Sequence, residues 1–514
     1  MSDPHTVHDQ SEAFSLMEKP ETHGVSDVKR IDTHANVVFL AGEHAYKMKR
    51  AVKFPFLDYS TLDKREHACQ REVELNRQYA PEIYLGVVPL TREEDGQLTL
   101  NGQGTPEEWA VHMVRFDEEL GLDQICDHQG INDPLAEELA RLMATAHKAA
   151  KPSDHERWIA DLRNYVEQNR SAFEEFPAFF PKELAKDLSE RAEKEHSRIA
   201  PFLRARGDKG YIRLTHGDAH LSNIVLIDNK PKLFDAVEFD DIIATGDILY
   251  DLAYLLLDLW EHDEMRAANR VLNRYLVATH DPYDLEALTC LPFFMMMRAS
   301  IRAKIAASAS LHKQGSEKAR SEAQAQRYFR IACEALEPVQ PQVIGVGGFS
   351  GTGKTTIARG LAPFIGRLPG AIHLRTDVER KLLLGLNETE RAPAETYTKE
   401  VSNAVYDQVL AKAKTVLQTG HSVVVDGVFA YPSERQALED IARSTDASFS
   451  GLWLEAPQDI KSTRVTKRRN DASDATADVV SRQNDMDPGL VSWTRLQTDA
   501  DAVTVQLQAL DLVL

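Results

Sequence analysis

Two groups of residues in this chain have the types and spacing to handle phosphate. In the first, His216-Gly217-Asp218 is followed by Asn223, five positions after the aspartate. A carboxylate can accept the proton of a reacting hydroxyl, an amide oxygen can hold a metal ion, and one short loop presents both. Asp235, after the apolar pair Leu233-Phe234, is spaced to supply the main metal-binding carboxylate, with Glu238 as an auxiliary. In the second group, Gly348-Phe349-Ser350-Gly351-Thr352-Gly353-Lys354-Thr355 places a glycine before four free positions and Gly-Lys-Thr after them. Glycines let successive backbone N–H groups turn inward around a phosphate. Lys354 reaches the outer phosphates, and the Thr355 hydroxyl is placed for a magnesium ion. Gly348, Ser350, Gly351, Thr352, Gly353, Lys354, Thr355 and Thr356 are the expected phosphate-gripping residues, and the helix opening there adds its positive dipole end.

The residues that would complete each site follow from strand-end positions. Val423-Val424-Val425-Asp426 is an apolar strand ending in a carboxylate, which suits a magnesium aspartate. Asp377, in Arg375-Thr376-Asp377 with Arg380 beyond, lies at the carboxyl end of a strand where ligands bind. It is expected to accept a hydroxyl proton, with Arg375 or Arg380 holding an anionic part of the acceptor; a local helix cap is the plain alternative. Arg464 and Arg468 lie four apart in the densest basic run and would offset charge on a transferred phosphoryl group, unless that run is only a solvated helix face. On the other side of the chain, Lys47 or Lys49 would meet nucleotide phosphates. Strand alternation is expected to put the two on opposite faces, with Lys47 preferred and Glu72 as its helix partner, Glu74 and Glu66 being alternatives.

These residues need two different scaffolds. Residues 31–53 read as strand, turn, strand; a helix follows over 61–79, and Ile83 to Leu90 and Trp109 to Phe116 read as further strands. From Asp133 to Leu336 the pattern is mostly helical, with short strands at 224–226 and 232–234. Two prolines in Glu337-Pro338-Val339-Gln340-Pro341 stop the last of these helices. Beyond them strands and helices alternate, with strands at 343–347, 372–374, 422–426 and 449–454 and a last one near Val503, which predicts a parallel sheet covered on both faces. The expected division is a tail at 1–25, a domain at 26–336, a linker at 337–342 and a domain at 343–514. Met295-Met296-Met297 with Phe293-Phe294 fit core packing better than a substrate pocket.

At 514 residues, 43% hydrophobic and 27% charged, the chain is long enough for several cores and shows no low-complexity tract. A formal net charge of −20 disfavours general nucleic-acid binding, because phosphate backbones attract positive surfaces. No membrane span or secretory signal is predicted. Cys69, Cys126, Cys290 and Cys333 have neither zinc-site nor disulfide-framework spacing, and the expected location is cytoplasmic.

The region from Val343 to about Asp487 resembles the P-loop small-molecule kinases that include gluconate kinase, chloramphenicol phosphotransferase and the zeta toxins. The resemblance implies a strand-two aspartate and a lid arginine, matched here by Asp377 and by Arg464 or Arg468. Residues 25 to 335 resemble the aminoglycoside phosphotransferase and choline kinase group, through His216-Gly217-Asp218, the Asp235 spacing and the run Gly246-Asp247 with Tyr250-Asp251-Leu252-Ala253. That implies a protein-kinase-like fold, although Thr33-His34-Ala35-Asn36 stands where protein kinases have a glycine-rich loop. The whole resembles fused bacterial proteins joining two such domains. The implied function is a bifunctional kinase using ATP and Mg²⁺ to phosphorylate small-molecule hydroxyl acceptors, either in sequence or independently. The alternatives are one active domain with a nucleotide-sensing partner, or an RNA or protein kinase.

Overall fold

The computed structural model describes residues 6–54, 57–467 and 471–514. The chain forms two compact units, one of residues up to 164 together with 200–258, the other of residues 165–199 together with 259–514. Residues 337–342, read from sequence as a linker, lie inside the second unit.

In the first unit, strands β1 (Val28–Asp32), β2 (Asn36–Ala41) and β3 (His44–Lys49) form an antiparallel meander, and β4 (Lys53–Phe54) and β5 (Leu57–Asp58) a small ribbon. With β6 (Tyr84–Arg92), β7 (Leu98–Leu100) and β8 (Thr105–Val114), β1 to β3 build a six-stranded sheet in the order β1-β2-β3-β8-β6-β7. The helix Leu62–Asn76 starts where the Thr61 hydroxyl accepts from the Lys64 N–H. Its apolar face, with Cys69 and Val73, packs on Tyr84 and Val111 of the sheet, and this docking carries Glu72 beneath β3. The segment expected to be a tail is instead partly ordered. The helix Ser11–Met17 buries Ala13 and Met17 against Phe39, Met48 and Leu90, and the buried Gln10 bonds to Lys49 O and Ala51 N. Further on, β9 (Ile212–Leu214), the hairpin of β10 (Ile224–Ile227) with β11 (Lys230–Leu233), and β12 (Thr245–Asp247) frame the loops that hold Asp218 and Asp235. Asp228 and Asn229, both at positive φ, make the tight turn between β10 and β11.

The second unit contains a five-stranded, all-parallel sheet of β13 (Gln342–Gly347), β14 (Ile372–Arg375), β15 (Val423–Asp426), β16 (Ser448–Glu455) and β17 (Thr494–Gln497), in the order β14-β15-β13-β16-β17. Ile344, Val346, Val424 and Leu452 from the strands meet Ile357, Leu361, Val505 and Ala509 from helices. The strand expected near Val503 is a helix, Ala502–Val513. Its β-branched start favours a strand locally, but the Asp501 carboxylate accepts from the Val503 and Thr504 N–H groups, and Val505, Ala509 and Val513 recur every four residues on the buried face. The last strand is Thr494–Gln497, in which only Leu496 is buried, too little apolar signal to be read from sequence. Elsewhere in this unit Phe293, Phe294 and Met295 to Met297 are fully buried on the helix Leu291–Ser310, which is the core role expected for them. No helix among the described residues is long and apolar enough to cross a membrane.

Burial has one measurable consequence here. The His421 imidazole, fully buried just before β15, is pushed down to about 3 by burial, with the Arg367 guanidinium adding to the effect. The unfolded chain binds a proton near the ordinary histidine value of about 6.5 while the folded chain does not. The contribution to stability is therefore complete above that pH and is lost as pH falls below it. The urea midpoint is expected to drop between pH 7 and pH 5, and His421→Leu to make the drop shallower; equal slopes for the two proteins would contradict this assignment.

Candidate functional site

The first constellation is held by a loop that leaves its residues little freedom. Gly217 sits at φ +80, and a Cβ there would lie 2.9 Å from Ala244 Cα, so glycine is required between His216 and Asp218. The Gly217 N–H donates to Asp251 Oδ1 (2.9 Å), and Asp258 Oδ2 accepts from the Leu221 N–H (2.8 Å). Both carboxylates are on the helix Ile248–Glu261, so this helix fixes the loop from below. The buried His216 ring bonds to Phe234 O (3.0 Å), while its own carbonyl accepts from the Val237 N–H, which ties the Asp218 loop to the Asp235 segment. Asn223 Nδ2 donates to the backbone oxygen of Asp218 (2.9 Å) and to its Oδ2 (3.1 Å).

Asp235 has φ +61, a conformation that costs a non-glycine residue on the order of 1–3 kcal/mol and marks a site where geometry outweighs local comfort. Its N–H donates to the Tyr84 hydroxyl (3.0 Å), and the next N–H to Asn76 Oδ1 (2.9 Å), so sheet and helix together impose the turn. Lys47 Nζ bonds at once to Glu72 Oε1 (2.9 Å) and Asp235 Oδ1 (2.5 Å). Lys49 Nζ pairs with Glu72 Oε2 (2.5 Å) and with Glu238. The expectation that the two lysines face opposite sides is therefore wrong: residues two apart on a strand share a face, and both reach Glu72. Only Lys47 touches Asp235. Glu238, expected as an auxiliary metal ligand, is buried with Lys49 and accepts from the Tyr59 hydroxyl (2.8 Å). Glu74 instead pairs with Arg71, and Glu66 accepts from Gln70, leaving Glu72 alone beneath the lysines.

Burial alone would raise the Asp235 carboxyl, but the Lys47 and Lys49 ammonium groups hold it below the usual carboxylate range. Burial would likewise depress Lys47, and Asp235 and Glu72 carry it above its usual value instead. Asp235 thus stays ionised, and with Asn223 it offers oxygen donors that could hold a divalent cation.

In the second constellation β13 runs into the glycine loop and the helix Lys354–Leu361. Gly348 and Gly351 both have positive φ, and a Cβ on either would come within 2.6 Å of a carbonyl oxygen, of Leu454 and Lys461 respectively. The loop is thus a cradle that only glycine can line. Lys354 Nζ donates to Phe349 O (3.1 Å), folded back over the loop, and the Ser350 N–H donates to Gln483 Oε1 (2.7 Å). Asp426, at the end of β15, bonds to His373 Nε2 (2.7 Å). Burial opposes ionisation of this carboxyl, but His373, Arg375 and Lys354 keep it below the usual range. The Asp426 carboxylate, near enough to Lys354 to feel its charge, and the Thr355 hydroxyl are the groups that could hold a magnesium ion.

Asp377 is the second residue of the helix Thr376–Leu383, and no side chain caps that helix, so the local-cap alternative is not what the structure shows. Its charge is felt by Arg375 and by the Tyr397 and Tyr406 hydroxyls. The two arginines proposed for the acceptor differ in their engagement. Arg375 is buried and paired with Asp471 (3.0 Å) and, more loosely, Glu388, whereas Arg380 stacks over Tyr397 and bonds to Ser402 Oγ (3.2 Å). Arg464 donates to the oxygens of Thr498, whose hydroxyl in turn donates to Thr352 O, so it stands beside the glycine loop. Arg468 lies outside the described residues. Sequence reading missed His373, which orients Asp426 and shares a strand face with Arg375, and Gln483, whose contact with the glycine loop leaves no local signal. It also missed Asp474, which gathers Lys381, the Tyr397 hydroxyl and the Ala392 N–H.

Comparison with known proteins puts the two constellations in regions matched by different family models. The family model described as "Phosphotransferase enzyme family" matches residues 39–286, and the one described as "AAA domain" matches residues 343–487. Uncharacterized proteins of Mycobacterium tuberculosis and Mycobacterium bovis are 30% identical over 497 residues, 91% of this chain and 93% of theirs. Among solved structures, the GDP complex of wild-type aminoglycoside 2'-phosphotransferase-IIIa is 13% identical and covers 62% of this chain and 99% of its own, with a TM-score of 0.39. A gluconokinase from Sinorhizobium meliloti is 16% identical and covers 34% of this chain and 93% of its own, with a TM-score of 0.24. These structural likenesses are too weak to bear on activity.

Proposed function

We propose that this chain, which belongs to the same family as those mycobacterial proteins and is an ATP-dependent phosphotransferase, works at two separate Mg²⁺·ATP sites, each delivering a γ-phosphoryl group to a small-molecule hydroxyl. The observation that carries this reading is duplication of the chemistry. Each constellation has its own carboxylate for the acceptor proton, its own carboxylate for a metal ion and its own lysine for phosphates. When bound, Mg²⁺ neutralises phosphate charge at either site.

At the first site Asp218 accepts the hydroxyl proton, and Asn223 and Asp235 hold the metal ion. Lys47 exchanges its contact with Asp235 for the nucleotide phosphates while Glu72 keeps it in place. At the second site the backbone N–H groups from Gly348 to Thr356 and the Lys354 ammonium grip the phosphates. Thr355 and the His373-oriented Asp426 hold the metal ion, Asp377 takes the acceptor proton, and Arg464, with Arg468, offsets the equatorial charge. We further propose that the sites act in sequence, the second accepting a monophosphate made by the first. Arg380, stacked rather than ion-paired and one helical turn from Asp377, supports that order, since its guanidinium can bind a phosphate already on the acceptor.

A metabolite pool incubated with γ-labelled ATP, followed by mass analysis of the labelled products, tests the reading. Two transfers are expected, the second lost in Lys354→Ala and both lost in Asp218→Asn. A singly phosphorylated product should accumulate with Lys354→Ala, and none should form with Asp218→Asn. A single activity abolished by either variant would leave one site as a regulator instead.

The Gln483 contact gives a separate expectation. Its side-chain oxygen occupies an N–H that a nucleotide phosphate needs, so ATP must displace it. Gln483→Ala is expected to tighten Mg²⁺·ATP binding at the second site by a few-fold, roughly the net worth of one hydrogen bond. Titration calorimetry on the Asp235→Asn background would show weaker binding if Gln483 helps to hold the nucleotide rather than competing with it.

A further inference from the structure

A cavity of about 340 Å³ lies in the second unit against the outer edge of the parallel sheet. Its walls come from the helix Met265–Thr279, strand β14, the helix Thr376–Leu383 and the helix Lys399–Gln418. Asn269 and Asn273 dock the first of these helices. Asn269 Nδ2 donates to Pro369 O (3.1 Å) and Ala371 O (3.0 Å), and Asn273 Oδ1 accepts from the His373 N–H (2.7 Å). An edge strand otherwise left with open backbone groups is thereby satisfied by side chains. The helix lies within residues 39–286 and the strand within 343–487, so neither matched region alone builds this cavity.

Four cationic side chains converge on it, against two carboxylates, Asp281 and Glu379. Arg270 and Arg274, four apart on one helix face, are joined by Arg375 from β14 and Lys412. Much of the remaining wall is apolar, including Val277 and Leu382. Arg274 already grips Glu388 through both Nη groups, Arg375 holds Asp471, and Lys412 holds Glu379. Even so, the buried Nε–H groups of Arg274 and of Arg375 have no acceptor at hydrogen-bond distance, the Arg375 Nε standing 3.9 Å from Asp426 Oδ2. Two unsatisfied guanidinium donors beside one cavity are costly unless an anion completes them, and the guanidinium fork matches phosphate geometry. The volume is that of a small-molecule site rather than of a bare ion. His373 and Arg375, which contact Asp426, share its wall, but Lys354, Thr355, Asp377 and Arg464 are not part of it. We propose that this cavity binds a small organic phosphate with a largely apolar body, at a site separate from both phosphoryl-transfer centres.

Phenyl phosphate is the probe, added to the full chain with saturating Mg²⁺·ADP to fill the nucleotide sites. Calorimetry is expected to show binding that falls at least tenfold in Arg270→Gln and in Val277→Phe, the second of which fills the cavity without touching a charge. Phenol should not bind, and inorganic phosphate should bind more weakly than the ester. In the native chain, hydrogen exchange should slow in residues 265–279 and 376–383 on adding the probe, a readout that needs no variant to fold. No binding, equal binding by both variants, equal binding of benzoate, or protection confined to the glycine loop or the Asp218 loop would each overturn the proposal.

Discussion

Replacing Lys354 with alanine is expected to lower phosphoryl transfer at the second site by roughly 10²- to 10³-fold, the scale of removing one pre-placed charge from a transition state, while the first site keeps its rate. Lys354 opens the helix Lys354–Leu361, and its ammonium folds back onto Phe349 O. Alanine is a strong helix former, and the fold of the loop depends on Gly348 and Gly351 rather than on the lysine. Lost activity would therefore report lost charge, not lost structure. The check is transfer from γ-labelled ATP by the full chain, with the second-site product followed in wild type and Lys354→Ala and the first-site product as the internal control. Undiminished second-site product in Lys354→Ala would remove Lys354 from the chemistry.

At the first site Asp218→Asn should cost on the order of 10²- to 10⁴-fold in rate with little change in ATP affinity, which is the cost of losing a general base. The substitution keeps shape, and the contacts of Asn223 with the backbone oxygen and the side chain of residue 218 can persist through the amide oxygen. Asp235→Asn should behave differently. It removes a carboxylate expected to hold the metal ion, and it leaves Lys47 with only Glu72, an acceptor already shared with Lys49. A buried ammonium that loses its partner is strongly penalised, so both Mg²⁺·ATP affinity and thermal stability should fall. Equal ATP affinities in the two variants, with rates unchanged, would sink the division of roles.

Much of this was legible in the chain itself. The glycine loop, the Asp218–Asn223 spacing and the strand ending in Asp426 are local: the positive-φ turns at Gly348, Gly351 and Gly353 call for glycine, and apolar runs ending in a carboxylate mark strand ends. The same locality misled where two short-range signals compete. Val503 and its neighbours have strand propensity, yet Asp501 capping and the four-residue spacing of Val505, Ala509 and Val513 make a helix. Residues two apart on β3 share a face, so alternation, correctly applied, puts Lys47 and Lys49 together; what the sequence could not decide is which of them meets Asp235, because that depends on a turn imposed by Tyr84 and Asn76 from distant elements. Other features have no sequence signal at all. His373 orienting Asp426, Gln483 on the glycine loop, and Asn269 and Asn273 closing the edge of β14 each join residues 53 to 133 positions apart. The sequence by itself determined the chemistry each loop can offer, because that chemistry is written in neighbouring residues. Only the tertiary structure decided which charges neutralise one another and where a cavity remains, because buried ion pairs and edge contacts are set by packing between segments that have no fixed spacing along the chain.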